Sequence, residues 1–317
     1  MHADTSAGVK TKRKIIKASF DTRFSPNGEH LASLSKDLVL WSSPDIKKLW
    51  KARPLAHPAH VAFSPDSSLL AVKSTSGHRR LIASTSGGIV SELNNHSRGE
   101  GGNILFADDG SSIIDGSWSG WHSVLNLDGE VLFEEQFANE MVIGVLRHPT
   151  GRIWFRHQRR GPDLHDGKSA QRLLGRSQPF SHGDFQQISI ELNSYQDATF
   201  SPDGQVLAIL SGHSPNVLSA YGFPTMQLVK KVELPETFRL GCRVRYSPVG
   251  DVIAVISSTL LVLLSAKDLT IEAELPMPFG CSIDFSPTGS LLAVGSWGEG
   301  EVIRVDDVVE RGHAANG

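Results

Sequence analysis

One repeated position gathers the side chains best suited to chemistry. Three residues before successive turn anchors stand Asp21, His60, Asn103, Asp197, Arg243 and Ser282. Asp, Asn and His are common metal ligands, and Asp and His common proton carriers, so such a ring could hold an ion or run acid–base chemistry. No Glu stands at that level, and polar groups also line channels that do no chemistry; the plainer reading is channel lining. The chain contains no Gly-x-Gly-x-x-Gly, Walker loop, Gly-x-Ser-x-Gly or His-Glu-x-x-His, the spacings that cradle phosphates, expose nucleophiles or chelate zinc. Cys242 and Cys281 each fall four residues before an anchor. Two thiols fall short of a four-ligand zinc site and read as small core residues. His182 and Asp184 form an isolated pair with no third ligand. The expectation is a chain without catalytic residues, metal or cofactor.

Charge supplies the second candidate. Between Arg152 and Arg176 the chain carries Arg152, Arg156, Arg159, Arg160, Lys168, Arg172 and Arg176 against Asp163 and Asp166. That is a local excess of +5 in a protein of net charge −3, so the remainder sums to −8. The expectation is a solvated surface loop, an insert over residues 156–185. The sharper alternative is a contact for an anionic ligand, an acidic partner or nucleic acid, because guanidinium pairs bidentately with carboxylate and phosphate.

These residues need a repeating scaffold, and the chain shows one. Six segments align: Phe24-Ser-Pro-Asn-Gly, Phe63-Ser-Pro-Asp-Ser, Phe106-Ala-Asp-Asp-Gly, Phe200-Ser-Pro-Asp-Gly, Tyr246-Ser-Pro-Val-Gly and Phe285-Ser-Pro-Thr-Gly; Arg147-His-Pro-Thr-Gly is a seventh without its aromatic ring. Successive anchors lie 39, 43, 41, 53, 46 and 39 residues apart, close to the length of one four-stranded propeller blade. Pro at +2 fixes φ for a turn, and Asn-Gly or Asp-Gly supplies positive φ. Position +7 is apolar in every unit, +8 is Ala in five and +11 is Ser in six. The large–small alternation suits strands tapering to an axis, and the Ser can satisfy the backbone of the loop that follows.

This register resembles the WD-repeat family over roughly residues 20–309, without the Trp-Asp dipeptide that names it; Trp41 alone stands where the family's Trp would be. The resemblance implies loops presented to partners. The expected fold is all-β: a seven-bladed β-propeller of four-stranded antiparallel blades. The last repeat offers three strands, Cys281–Phe285, Ser290–Ser296 and Glu301–Asp306, and the 12–18 segment with Ile15 and Ile16 is spare. That segment is expected to close the ring as the outer strand of the last blade, its lysines protecting an edge; the lysine-rich stretch also reads as a nuclear-import signal. The expected organisation is a flexible tail over 1–9, one propeller over 10–309 and a flexible tail over 310–317.

Composition narrows the function classes. Hydrophobic residues make up 39% and charged residues 21%, enough for a core. The net charge of −3 disfavours a basic nucleic-acid binder. The longest apolar run, Val252 to Leu264, is interrupted by Ser257, Ser258 and Thr259, so no membrane span is expected. Two cysteines and a charged start without an apolar stretch predict a cytoplasmic protein. The loops past +11 share one rim, where Arg79 and Arg80 of blade 2, Trp118, Trp121 and His122 of blade 3, and Arg159 and Arg160 of blade 4 should form one patch for a protein partner with an acidic surface. Trp297 of blade 7 lies across the ring and should serve a separate contact. The expected function is a non-catalytic protein-interaction platform. Alternatives are a propeller enzyme with a metal or acid–base site at the channel mouth, and a binder of anionic ligand or nucleic acid through the blade 4 insert.

Overall fold

The computed structural model describes residues 14–93, 99–159, 168–193, 195–212, 215–239 and 241–309. The expected tails over 1–9 and 310–317, and Arg160, lie outside them. Each anchor ends an innermost strand, here called a, and the chain then runs outward through b, c and d. The a strands are Asp21–Phe24, Pro58–Phe63, Leu105–Phe106, Glu140–Arg147, Tyr195–Phe200, Gly241–Tyr246 and Gly280–Phe285. Seven four-stranded antiparallel sheets result, and the all-β seven-bladed propeller is the observed architecture.

The repeat residues act as their chemistry requires. At the a–b turns Gly28, Gly110, Gly151, Gly204, Gly250 and Gly289 all take positive φ, a region L side chains enter at a cost. Ser67 replaces Gly in blade 2 and still adopts φ 65°. The hydroxyl after the anchor closes the turn: Ser25, Ser64, Ser201 and Ser286 accept the backbone N–H of residues five further on at 2.9–3.0 Å. The +11 serines pin the b–c loops, as Ser257 Oγ does by accepting Leu260 N–H at 2.9 Å and Ser296 Oγ by accepting Gly298 N–H at 3.0 Å. The apolar run of blade 6 is thus a hairpin, Val252–Ser257 and Leu260–Ser265.

Cores form between blades. Leu261 and Leu263 of blade 6 pack with Ile283, Phe285, Leu292 and Val294 of blade 7, all buried. The third strand of blade 7 is Gly300–Arg304, shorter than expected, because the chain turns into one helical turn over 305–309. Val305 and Val308 of that turn join the same core.

Lys14–Ile16 is the outer strand of blade 7, antiparallel to Gly300–Arg304 with Ile16 opposite Gly300. Ile15 points out and Ile16 is fully buried with Phe24, Leu31 and Leu291. The seventh blade therefore joins both ends of the described chain, which removes an open edge. Ile16→Ala is expected to cost about 2–5 kcal/mol in denaturant unfolding. A loss under 0.5 kcal/mol would mean that closure contributes little.

Candidate functional site at the channel mouth

Successive side chains of a strand alternate sides, so residues three and one before each anchor share the channel face. Four of the six residues at −3 turn out to be stitching. Asp21 accepts Val61 N–H at 3.1 Å, Asp197 accepts Val244 N–H at 3.1 Å, and Ser282 Oγ accepts Thr22 N–H at 3.1 Å. Asn103 holds both Val145 N–H and C=O at 2.9 Å. In each case the partner is two residues before the anchor of the next blade, so these side chains tie inner strand to inner strand. Among the described residues no group of three or more His, Cys, Asp or Glu is placed to hold a metal ion. Cys281 Sγ donates to Ser19 C=O at 3.3 Å.

The sequence reading overlooked the position just before the anchor, where Arg23, Arg245 and Asp284 stand. Period-two alternation from the −3 ring would have found them. A fourth arginine arrives by another route. Arg156 lies on strand b of blade 4, and Gly144, which leaves the −3 ring empty there, makes room for it: a Cβ on Gly144 would meet the guanidinium at 3.1 Å. Arg156 and Arg245 both pair with Asp197, Arg245 at 2.7 Å, and Arg23 pairs with Asp21 at 3.0 Å.

Above this charged layer the channel opens into a cavity of about 730 Å³, lined by Arg23, Arg156, Arg243, Arg245, Asp197 and Glu100. Its rim is formed by d–a connections and b–c loops: Phe20, His57, Trp118 and Trp297, with Pro58, Met141 and Ile143 between. Four guanidinium groups thus meet four carboxylates here: Asp197 and Glu100 in the lining, Asp21 on Arg23, and Asp284 beside Arg23 and Arg245. Burial tends to push Asp197 up, but Arg245 and Arg156 overcome it and hold the acid down at about 2. Burial pushes Asp284 up to about 6 against the pull of Arg23. It also lowers His60 to about 4, partly offset by Asp21, 4.0 Å away. Near neutral pH the carboxylates balance the guanidinium groups and His60 is uncharged; the site turns positive as pH falls through about 6, where Asp284 takes up a proton.

The expected rim patch does not form. Arg79 is buried, because strand alternation turns it inward onto Asp115 at 2.6 Å, alongside Lys73 at 2.7 Å. Arg80 points the other way and pairs with Glu92 at 2.5 Å. Arg159 is exposed and Trp121 half-buried. Trp118 and Trp297, expected to serve different contacts, line the same cavity. The described residues of the arginine-rich stretch form two long strands, Ile153–Arg159 and Lys168–Arg176, in place of the expected surface loop, and Arg156 and Arg176 are buried there.

His122 is the furthest from expectation. It is fully buried between blades 3 and 4, stacked on Phe155 with centroids 3.6 Å apart. Arg176 Nε donates to His122 Nδ1 at 3.0 Å, and His122 Nε2 lies 2.6 Å from His157 Nε2. A guanidinium can only donate, so the His122 proton sits on Nε2 and is donated to His157. The His157 proton is then on Nδ1, which lies 2.7 Å from Glu140 but off the line of a well-aligned hydrogen bond. Glu135 pairs with Arg176 at the other end. Both imidazoles are held below their ordinary value: burial lowers each, neighbouring cations add to it at His122, and at His157 burial outweighs the opposing pull of Glu140.

No family model matches the chain, and no curated protein matches it. Among solved structures 1610 chains match, a breadth that marks an architecture rather than an activity. One is hydrazine synthase of Kuenenia stuttgartiensis, 14% identical, with a TM-score of 0.76 over 96% of this chain and 99% of that one. The likeness shows the fold. It also overturns the expectation of a non-catalytic interaction platform, since the same ring serves an enzyme and its architecture gives no ground for a scaffold. Among the described residues no helix is long and apolar enough to cross a membrane.

Proposed function

We propose that the channel mouth binds a small anionic ligand, a carboxylate or phosphate ester. The carrying observation is the convergence of Arg23, Arg156, Arg243 and Arg245 on one cavity of about 730 Å³, within the usual range for small-molecule sites. Guanidinium matches the planar, two-oxygen edge of such anions. Inter-blade ties through Asp21, Asn103, Asp197 and Ser282 hold the inner strands in place, which limits the ordering cost of binding. The name hydrazine synthase contributes nothing to this choice of ligand.

Calorimetric titration with malonate and with sulfate tests the reading. Arg243→Met should weaken binding by about tenfold or more, as removal of a charge-assisted contact does. If wild type binds neither probe saturably, or the variant binds both as tightly, the reading is wrong. Sulfate affinity should also rise roughly three- to tenfold as pH falls from 7 to 5. Asp284, near 6 and flanked by Arg23, Arg245 and Asp21, takes up a proton there and leaves the channel more positive. Asp284→Asn should abolish that rise; a rise unchanged in the variant would place its origin elsewhere.

We also infer kinship with the WD-repeat family and a cytoplasmic setting. Supporting the first are the anchor register and the hydrogen bond from Trp41 Nε1 to Ser33 Oγ at 2.8 Å. Supporting the second is the count of two cysteines in 317 residues.

A further inference from the structure

We propose that the anion bound at the channel mouth carries a flat ring, held at the rim by Trp118 and Trp297 while its charged group reaches the arginines below. The proposal rests on the anion-binding reading above and adds the class of ligand. Trp118 is 40% exposed and Trp297 63% exposed, and both line the one cavity. They occupy the same register, twelve residues past the anchors of blades 3 and 7. Buried elsewhere, such large apolar faces would favour folding; left at the mouth of a pocket, they favour whatever covers them.

The rim is held in place. Trp297 lies against Phe20 with ring centroids 4.1 Å apart, and its backbone N–H donates to Phe279 C=O at 3.1 Å. The Trp118 N–H donates to Glu100 C=O at 2.7 Å. Ser117 and Ser296 brace the two b–c loops from within. Two tryptophans alone would suit a quaternary ammonium group as well as a neutral ring. The guanidinium N–H groups beneath offer donors that an anion's oxygens can use and a quaternary ammonium group cannot. An apolar wall above and a floor of guanidinium donors below match a molecule with a ring at one end and an anion at the other. Aromatic carboxylates and nucleoside monophosphates share that chemistry, and paired probes separate them.

Affinity is measured calorimetrically, with tryptophan fluorescence as a second readout, for benzoate against acetate and for adenosine monophosphate against ribose 5-phosphate. The ringed member of at least one pair should bind about tenfold tighter, and the pair with the larger increment identifies the anion. Trp118→Ala and Trp297→Ala should each remove about three- to tenfold from the ringed probe and leave the ringless one within about twofold. Arg243→Met should weaken both members. Both tryptophans are exposed, so the variants should melt as wild type does; Trp→Leu replaces any that does not. Equal affinity for ringed and ringless probes would overturn the proposal and leave the anion site standing. So would tighter binding of benzyltrimethylammonium than of benzoate, or tryptophan variants that change nothing. Failure of all four anions to bind would overturn both.

Discussion

Asp115→Ala will cost the fold about 3–5 kcal/mol, the expected loss when one member of a buried ion cluster is removed. Asp115, Lys73 and Arg79 are each 1% exposed. Lys73 comes from strand b of blade 2 and reaches across to blade 3, donating to Asp115 at 2.7 Å and to Gly116 C=O at 2.9 Å. Arg79 Nε donates to the same carboxylate at 2.6 Å. Burial alone would raise the acid, yet the two cations overcome it and lower it. The alanine variant would strand two cations between blades, where water cannot reach them. Replacing all three together with Met, Met and Leu removes the charges as well as the pairing, and should fall within about 2 kcal/mol of wild type. Urea unfolding of the two variants separates these cases. A single substitution no worse than the triple would show that the cluster holds nothing together.

Acid will weaken the protein as pH falls below 6.5, through His122 and His157. Both have folded values below the ordinary 6.5. Above 6.5 neither state carries the proton, and the full stability is present. Below it the unfolded chain takes up protons that the folded chain refuses, so stability falls with pH until the folded imidazoles titrate. Two channel groups nearly cancel in this window. His60, lowered to about 4, removes about 3 kcal/mol over the full interval from 6.5 down to 4. Asp284, raised to about 6, returns about 3 kcal/mol as pH falls from 6 toward 4. Asp197, held at about 2, loses its contribution only below 3.8. Urea midpoints at pH 7, 6 and 5 should therefore fall in wild type and fall less in His157→Gln, which cannot titrate. A flat profile in wild type would mean that the two imidazoles are not held below their ordinary value.

Architecture was legible because it depends on local chemistry repeated seven times. A turn that needs positive φ selects Gly, a strand tapering to an axis selects Ala, and a b–c loop selects Ser; each requirement leaves a residue at a fixed offset from the anchor. Even closure of the ring could be read, since three strands in the last repeat and a spare one at the start imply each other. The site was only half legible. The −3 ring was visible as a register, but its work is done on backbone N–H groups of the next blade, and sequence does not show those. Arg79, His122 and Arg176 look like surface charges in a linear reading. Strand alternation and partners from neighbouring blades turn them inward, and those partners, Asp115, His157 and Glu135, lie 35 to 41 residues away. Arg156 reaches the channel only because Gly144 leaves the wall open in front of it, and a missing side chain carries no signal in the register.

Crystals soaked with selenate would test the anion site most directly, because selenium gives an anomalous signal that fixes the ion without interpretation of shape. A peak is expected inside the channel mouth, within hydrogen-bond distance of Arg243 or Arg23 and below the level of Trp118 and Trp297. Selenate bound only on the outer surface of the blades, with the mouth empty at the same concentration, would contradict the account.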